Sequence, residues 1–158
     1  MRQKLNNKAQ CVFLGLILFG LVFCAQASVN FKQLEGEKKD YQNIVLSFQL
    51  KDSKLLQQQV DSFIRVYPKS VQADNALFLR GQLAFQKQNW SLALKDLTKI
   101  IDWGGNKTPA ALLLKAQIYK ELKVKSVVVS LLRLLEEKYP HSSEAQSARL
   151  ELKLIATQ

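Results

Sequence analysis

From about residue 38 to its end the chain repeats one pattern: apolar residues at helical spacing, interrupted at regular places by turn residues. Segments 40–50 and 53–67 form one pair, joined near Lys51-Asp52. Segment 75–87 carries Ala76, Leu77, Leu79, Leu83 and Ala84, and 90–103 carries Leu92, Ala93, Leu97, Ile100 and Ile101. Asn89 stands between them as a cap. Thr108-Pro109 reads as a cap followed by Pro at the first helical position, starting a helix that runs to about Leu122 with Leu112, Leu113, Ala116, Ile118 and Tyr119. Segment 125–138 carries Val128, Leu131, Leu132 and Leu135. Ser142 and Ser143 open a last helix with Glu144 in its first turn and Ala145, Ala148, Leu152 and Ile155 along it. The pattern predicts an all-α domain of three antiparallel helix pairs and a closing helix.

The punctuation is periodic. Tyr67-Pro68-Lys69-Ser70 and Tyr139-Pro140-His141-Ser142 lie 72 residues apart, and Trp103-Gly104-Gly105-Asn106 falls halfway between. At each an apolar run ends and a helix-breaking Pro or Gly pair follows. A single hairpin of this size leaves an apolar face uncovered, whereas stacked hairpins cover one another's.

These residues resemble the tetratricopeptide repeat (TPR). Gly81 and Ala93 are small residues twelve apart, where two helices of that repeat touch closely; Tyr119 follows Ala116 by three; Pro68 and Pro140 close units. The sequence departs from the repeat at Ala84, at Val128 and at Gly104-Gly105. The run Tyr67-Pro68-Lys69-Ser70 through Ala73, Ala76 and Leu77 also resembles the TPR domains of bacterial envelope proteins. These include the periplasmic component of the Tol-Pal system and BamD-type outer-membrane assembly factors. The resemblance implies a right-handed α-solenoid over residues 38–158 whose first helices line a concave groove for a protein or peptide partner. Carried onto this chain, the groove positions are Tyr41, Val45, Phe48, Asn75, Phe78, Gln82, Phe85, Leu113, Gln117 and Lys120. Aromatic groups there supply area and amides bond a peptide backbone. Trp90 and Trp103 are expected in core and turn packing.

The first 27 residues stand apart from this pattern. Arg2, Lys4 and Lys8 precede a 13-residue apolar run over 11–23, and Ala25-Gln26-Ala27 supplies a small-x-small cleavage site. The expectation is a signal peptide over 1–27, cleaved after Ala27, a flexible leader over 28–37, and export to the periplasm. The alternatives are retention as an uncleaved anchor, for which the run is short, and a lipid on Cys24, which bulky Phe23 disfavours. Cys11 and Cys24 are the only cysteines, so the cleaved chain holds neither thiol nor disulfide. The formal net charge of +10 falls to +7 when the three basic residues of the signal leave. That balance permits an anionic envelope polymer or lipid surface as the alternative partner.

Little in the sequence points to catalysis. His141 is the only histidine and sits in a turn beside Pro140; no acid pair stands out; Gly104-Gly105 is not a phosphate-loop spacing. The sequence reading is a non-enzymatic scaffold without cofactor, metal, nucleic acid or small-molecule substrate. A hydrolase accessory or cryptic enzyme is the remaining alternative.

Overall fold

The computed structural model describes residues 33–157, and every regular element among them is an α-helix. Helix α1 covers 33–49. It is followed by α2 (Ser53–Val66), α3 (Ala73–Gln86), α4 (Trp90–Trp103), α5 (Thr108–Glu121), α6 (Lys125–Lys138) and α7 (Ser143–Ala156). The expected signal peptide over 1–27 and residues 28–32 lie outside the described residues. Residues 33–39 and 40–157 belong to separate compact parts, and the packing below is that of 40–157. No helix among the described residues is long and apolar enough to cross a membrane.

The helices start and stop close to their expected places, with two differences. The leader expected over 28–37 is helical from 33. Leu34 there is 61% exposed, so local propensity accounts for this turn: Glu35 and Lys39 stand at a favourable i, i+4 spacing. Second, Thr108 is not a side-chain cap. It is the first residue of α5, 2% exposed, and its hydroxyl donates to the Ile100 carbonyl at 3.5 Å. Its polar group thus serves the preceding helix, which partners a hydroxyl that burial removes from water.

Three turns join an odd helix to the even helix after it, and they share one geometry. Lys51, Gln88 and Lys123 adopt left-handed backbone, with φ of 55°, 58° and 59°. Each N–H bonds the carbonyl three residues back (Phe48, Phe85, Lys120), and the next residue's N–H bonds the one five back (Ser47, Ala84, Tyr119), all within 2.8–3.1 Å. This is the Schellman closure, which satisfies carbonyls that the helix end would leave open. The left-handed residues are 37 and 35 positions apart, the same period as the Tyr67, Trp103 and Tyr139 breaks. After the first two turns a side chain caps the new helix: Asp52 accepts from Leu55 N–H at 3.0 Å and Asn89 from Leu92 N–H at 3.3 Å. The third turn has Val124 in that place and no side-chain cap. Ser142 caps α7 by accepting from Ala145 N–H at 3.0 Å.

From α2 onward each helix packs on the next in the chain, and α3–α5 and α5–α7 also touch; no pair farther apart does. Two apolar clusters result. One joins Ile44 of α1 to α2, α3, α4 and the Ala111, Leu114 and Ile118 side of α5. The other joins Leu112 and Ala116 of α5 to Val128, Leu132 and Leu135 of α6 and to Ala145 and Ala148 of α7. Helix α5 therefore buries two flanks, so its apolar residues wrap most of its circumference, while α4 and α6 keep one apolar stripe. Ala76, Ala111 and Ala148 are all 0% exposed and stand 35 and 37 residues apart. At Gly81 an added methyl would lie 3.6 Å from Asp96 Cβ and Leu97 Cδ2. The approach of α3 to α4 thus admits alanine but no larger group.

Candidate functional site

The period gives each odd helix the same register, and nine of the ten expected groove residues fall into three columns, Asn75 standing outside them. Tyr41, Phe78 and Leu113 form the first; Val45, Gln82 and Gln117 the second; Phe48, Phe85 and Lys120 the third. Within each helix the positions are separated by four and three residues, so they share one face. None is fully buried, although Ile44, Leu77, Leu83, Leu112 and Ala116 beside them are. Packing takes the flanks of the odd helices and leaves this face open in part.

The individual environments differ. Tyr41 lies half-buried with its ring centroid 6.1 Å from that of Phe63. Burial, then the Asp74 carboxylate, pushes its phenol pKa up. Phe48 packs half-buried on the first cluster. Asn75 spends its amide within α3, donating from Nδ2 to Gln72 Oε1 at 2.7 Å. Phe78 is half-buried under the Lys107 ammonium, 5.7 Å from its ring centre, a cation–π placement. Gln82 is half-buried and Gln117 exposed. Phe85 stacks at 60° on Trp90 with centroids 5.5 Å apart, which ties it to packing as well as to the face. Lys120 is exposed and donates to Glu151 Oε1 of α7 at 2.6 Å. Trp90 packs against the core as expected, whereas Trp103 is 43% exposed with the Lys99 ammonium 5.0 Å over its ring.

Sequence reasoning stopped the columns at α5, and the structure continues them. Aligning the buried Ala76 and Ala148 puts Leu150 after Leu113 and Leu154 after Gln117; both leucines are 64% exposed. The signal was present in the sequence. Tyr67 to Tyr139 is 72 residues, and the same step from Phe78 and Gln82 reaches Leu150 and Leu154. Helix α7 thus carries the most exposed apolar part of the face.

A buried charge network was also missed. Arg80, 6% exposed, donates from Nε and Nη2 to both carboxylate oxygens of Asp96 at 2.7 and 2.8 Å. From Nη1 it reaches Asp61 of α2 and the Gln57 carbonyl. Burial alone pulls the guanidinium pKa down, and hydrogen bonds and charge from Asp96 and Asp61 reverse this, leaving it raised. A bidentate ion pair extended to Asp61 therefore joins α2, α3 and α4. Its signal was position: Arg80 falls between Leu77 and Leu83 on the apolar stripe, as Asp96 does between Ala93 and Ile100.

Asp74 makes the corresponding link farther along. One oxygen accepts from Asn75 N–H at 2.8 Å, the other from Lys107 N–H at 3.1 Å before α5. Gly105 leaves room for it, since a Cβ there would stand 2.5 Å from Asp74 Oδ2. Asp74 and Lys107 frame Phe78, so the centre of the face sits on a braced backbone. No protein-family model matches this chain, and no curated protein is significantly similar to it.

Proposed function

We propose that the chain is a TPR-like scaffold, a right-handed stack of helix hairpins that holds an extended or helical segment of a partner protein along the odd-helix face. The observation that carries this reading is the column arrangement: residues one period apart, apolar or amide in character except Lys120, left open in part while their neighbours are buried. The face offers Tyr41, Phe78, Leu113 and Leu150 as apolar anchors, with Gln82 and Gln117 between them for a peptide backbone. The absence of contact beyond next-but-one helices from α2 to α7 supports a stack over a closed bundle. The N-terminal charge, apolar run and Ala25-Gln26-Ala27 site support export, and with it a periplasmic place in a cell-envelope assembly. In this reading the protein is not an enzyme and uses no cofactor.

The test is a crosslinking pulldown of tagged full chain from its native envelope, repeated with Phe78→Ala and Gln82→Ala. A partner held by the face is lost from both variants, and its affinity falls about thirtyfold with Phe78→Ala if that ring is a binding hot spot. Unchanged capture by both variants removes the face from the interaction.

A further inference from the structure

The two edges of the stack differ in charge and in what they expose. The edge made by the three Schellman turns brings together the C-terminal ends of odd helices and the N-terminal ends of even ones. The first two turns are joined directly, by Lys87 Nζ donating to the Lys51 carbonyl at 3.0 Å. The third turn and the C-terminal end of α7 meet around a cleft of about 250 Å³ walled by Lys120, Lys123 and Lys125 and floored by Val128 and Ile155. Leu122 and Val124 alternate with those lysines and are 43% and 37% exposed. Leu50, beside Lys51 in the first turn, is 67% exposed. The acids on this edge are few. Asp52 is engaged in capping α2, Glu151 is paired with Lys120, and Glu121 remains. The opposite edge mixes Arg65, Lys69 and Lys138 with Asp102, Glu137 and Glu144.

We propose that the Schellman edge, centred on Leu122–Lys125, docks on an anionic lipid bilayer. Lysines alone would serve any polyanion. The added feature is apolar side chains at the turn tip, held between lysines by tight hydrogen bonds rather than folded into the core. That combination matches the boundary between anionic headgroups and acyl chains, where short apolar groups are buried and ammonium groups remain at phosphate level. The third turn is the strongest point because its cap position holds Val124 in place of an oxygen, leaving the start of α6 without a local negative group. This inference does not rest on the peptide-binding reading: Leu122, Lys123, Val124 and Lys125 lie outside the odd-helix face, and of the cleft wall only Lys120 is shared with it.

The experiment is co-flotation of the full chain with vesicles of phosphatidylcholine alone or mixed with phosphatidylglycerol, the readout being the ratio of the two affinities. The apolar run at 11–23 is common to every variant and drops out of the comparison. Lys123→Gln/Lys125→Gln lowers the ratio about thirtyfold, from two lysines at the surface. Leu122→Ser/Val124→Ser weakens binding to the mixed vesicles while leaving binding to soluble polyphosphate unchanged. In a separate variant, Leu122→Trp fluorescence is quenched by brominated lipid and Val71→Trp on the opposite edge is not. An unchanged ratio in the lysine variant overturns the proposal. So does an unchanged vesicle affinity in the serine variant, which assigns the edge to polyanions by charge alone. Melting temperatures equal to wild type establish that these exposed substitutions leave the fold intact.

Discussion

Between α2 and α4 the core contains charge; between α5 and α7 it contains none. In the first region Arg80 is clamped by Asp96 and Asp61, Gln59 of α2 accepts from Ser47 of α1 at 2.7 Å, and Asp52 and Asn89 cap the even helices. In the second region Leu112, Ala116, Val128, Leu132, Leu135 and Ala148 make up the interior, and α6 starts at Val124 without a side-chain cap. Both regions nevertheless form hairpins with the same turn and the same helix length of 14 residues. The hairpin geometry therefore follows from the period of apolar residues and the left-handed turn. Buried charge, and side-chain caps on the even helices, are fittings of one region.

This comparison can be tested by substitution, starting with the largest effect. Arg80→Ala leaves Asp96 buried without a partner and costs about 3–5 kcal/mol in urea unfolding. Arg80→Met with Asp96→Leu recovers most of that loss, because the pair is replaced by apolar volume. If the single variant unfolds like wild type, the clamp is not what joins α2, α3 and α4. In the second region Leu132→Ala costs about 3 kcal/mol, since a fully buried leucine leaves a cavity.

Smaller changes probe the caps. Val124→Asn should raise stability by about 1 kcal/mol, and Asn89→Ala should lower it by a similar amount. The backbone at Val124 (φ −96°, ψ 71°) already matches that at Asn89 (φ −82°, ψ 75°), so asparagine needs no rearrangement. Equal melting temperatures for Val124→Asn and wild type would show that the start of α6 is stabilised in another way. The smallest expected effect is a gain of about 0.5–1 kcal/mol from Gly81→Ala, which improves the α3 interior at a distance the neighbours tolerate. A loss there would mean that α3 and α4 lie closer than Asp96 and Leu97 allow.

Most of the helix layout was legible in the sequence because turn residues carry local physics. Asn89 announced its cap, and Gly104, at φ 67°, announced the end of α4. Lys51, Gln88 and Lys123 gave no such notice, since their left-handed backbone is imposed by the Schellman hydrogen bonds and not by residue type. Thr108 misled for a related reason: Ser, Thr and Asp before a helix suggest a cap, but burial directed its hydroxyl to Ile100. The register that lines up the expected face residues of α1, α3 and α5 was legible through the repeat period. Leu150 and Leu154 were passed over although the 72-residue step reaches them, because a closing helix is expected to be polar on its outer side. The Arg80 clamp was hidden by treating charge as a surface property; the apolar stripe on which Arg80 and Asp96 lie was the better guide.

The account rests on helices that meet only their near neighbours, and a methyl nuclear Overhauser map of the full chain tests this most directly. It predicts cross-peaks within the α3–α4 set around Leu77, Leu83 and Leu97 and within the α6–α7 set around Leu132, Ala145 and Ala148, with none between Leu56 or Val60 of α2 and Leu132 or Leu135 of α6. Cross-peaks between those α2 and α6 methyls would mean a closed bundle, and the open face would not exist.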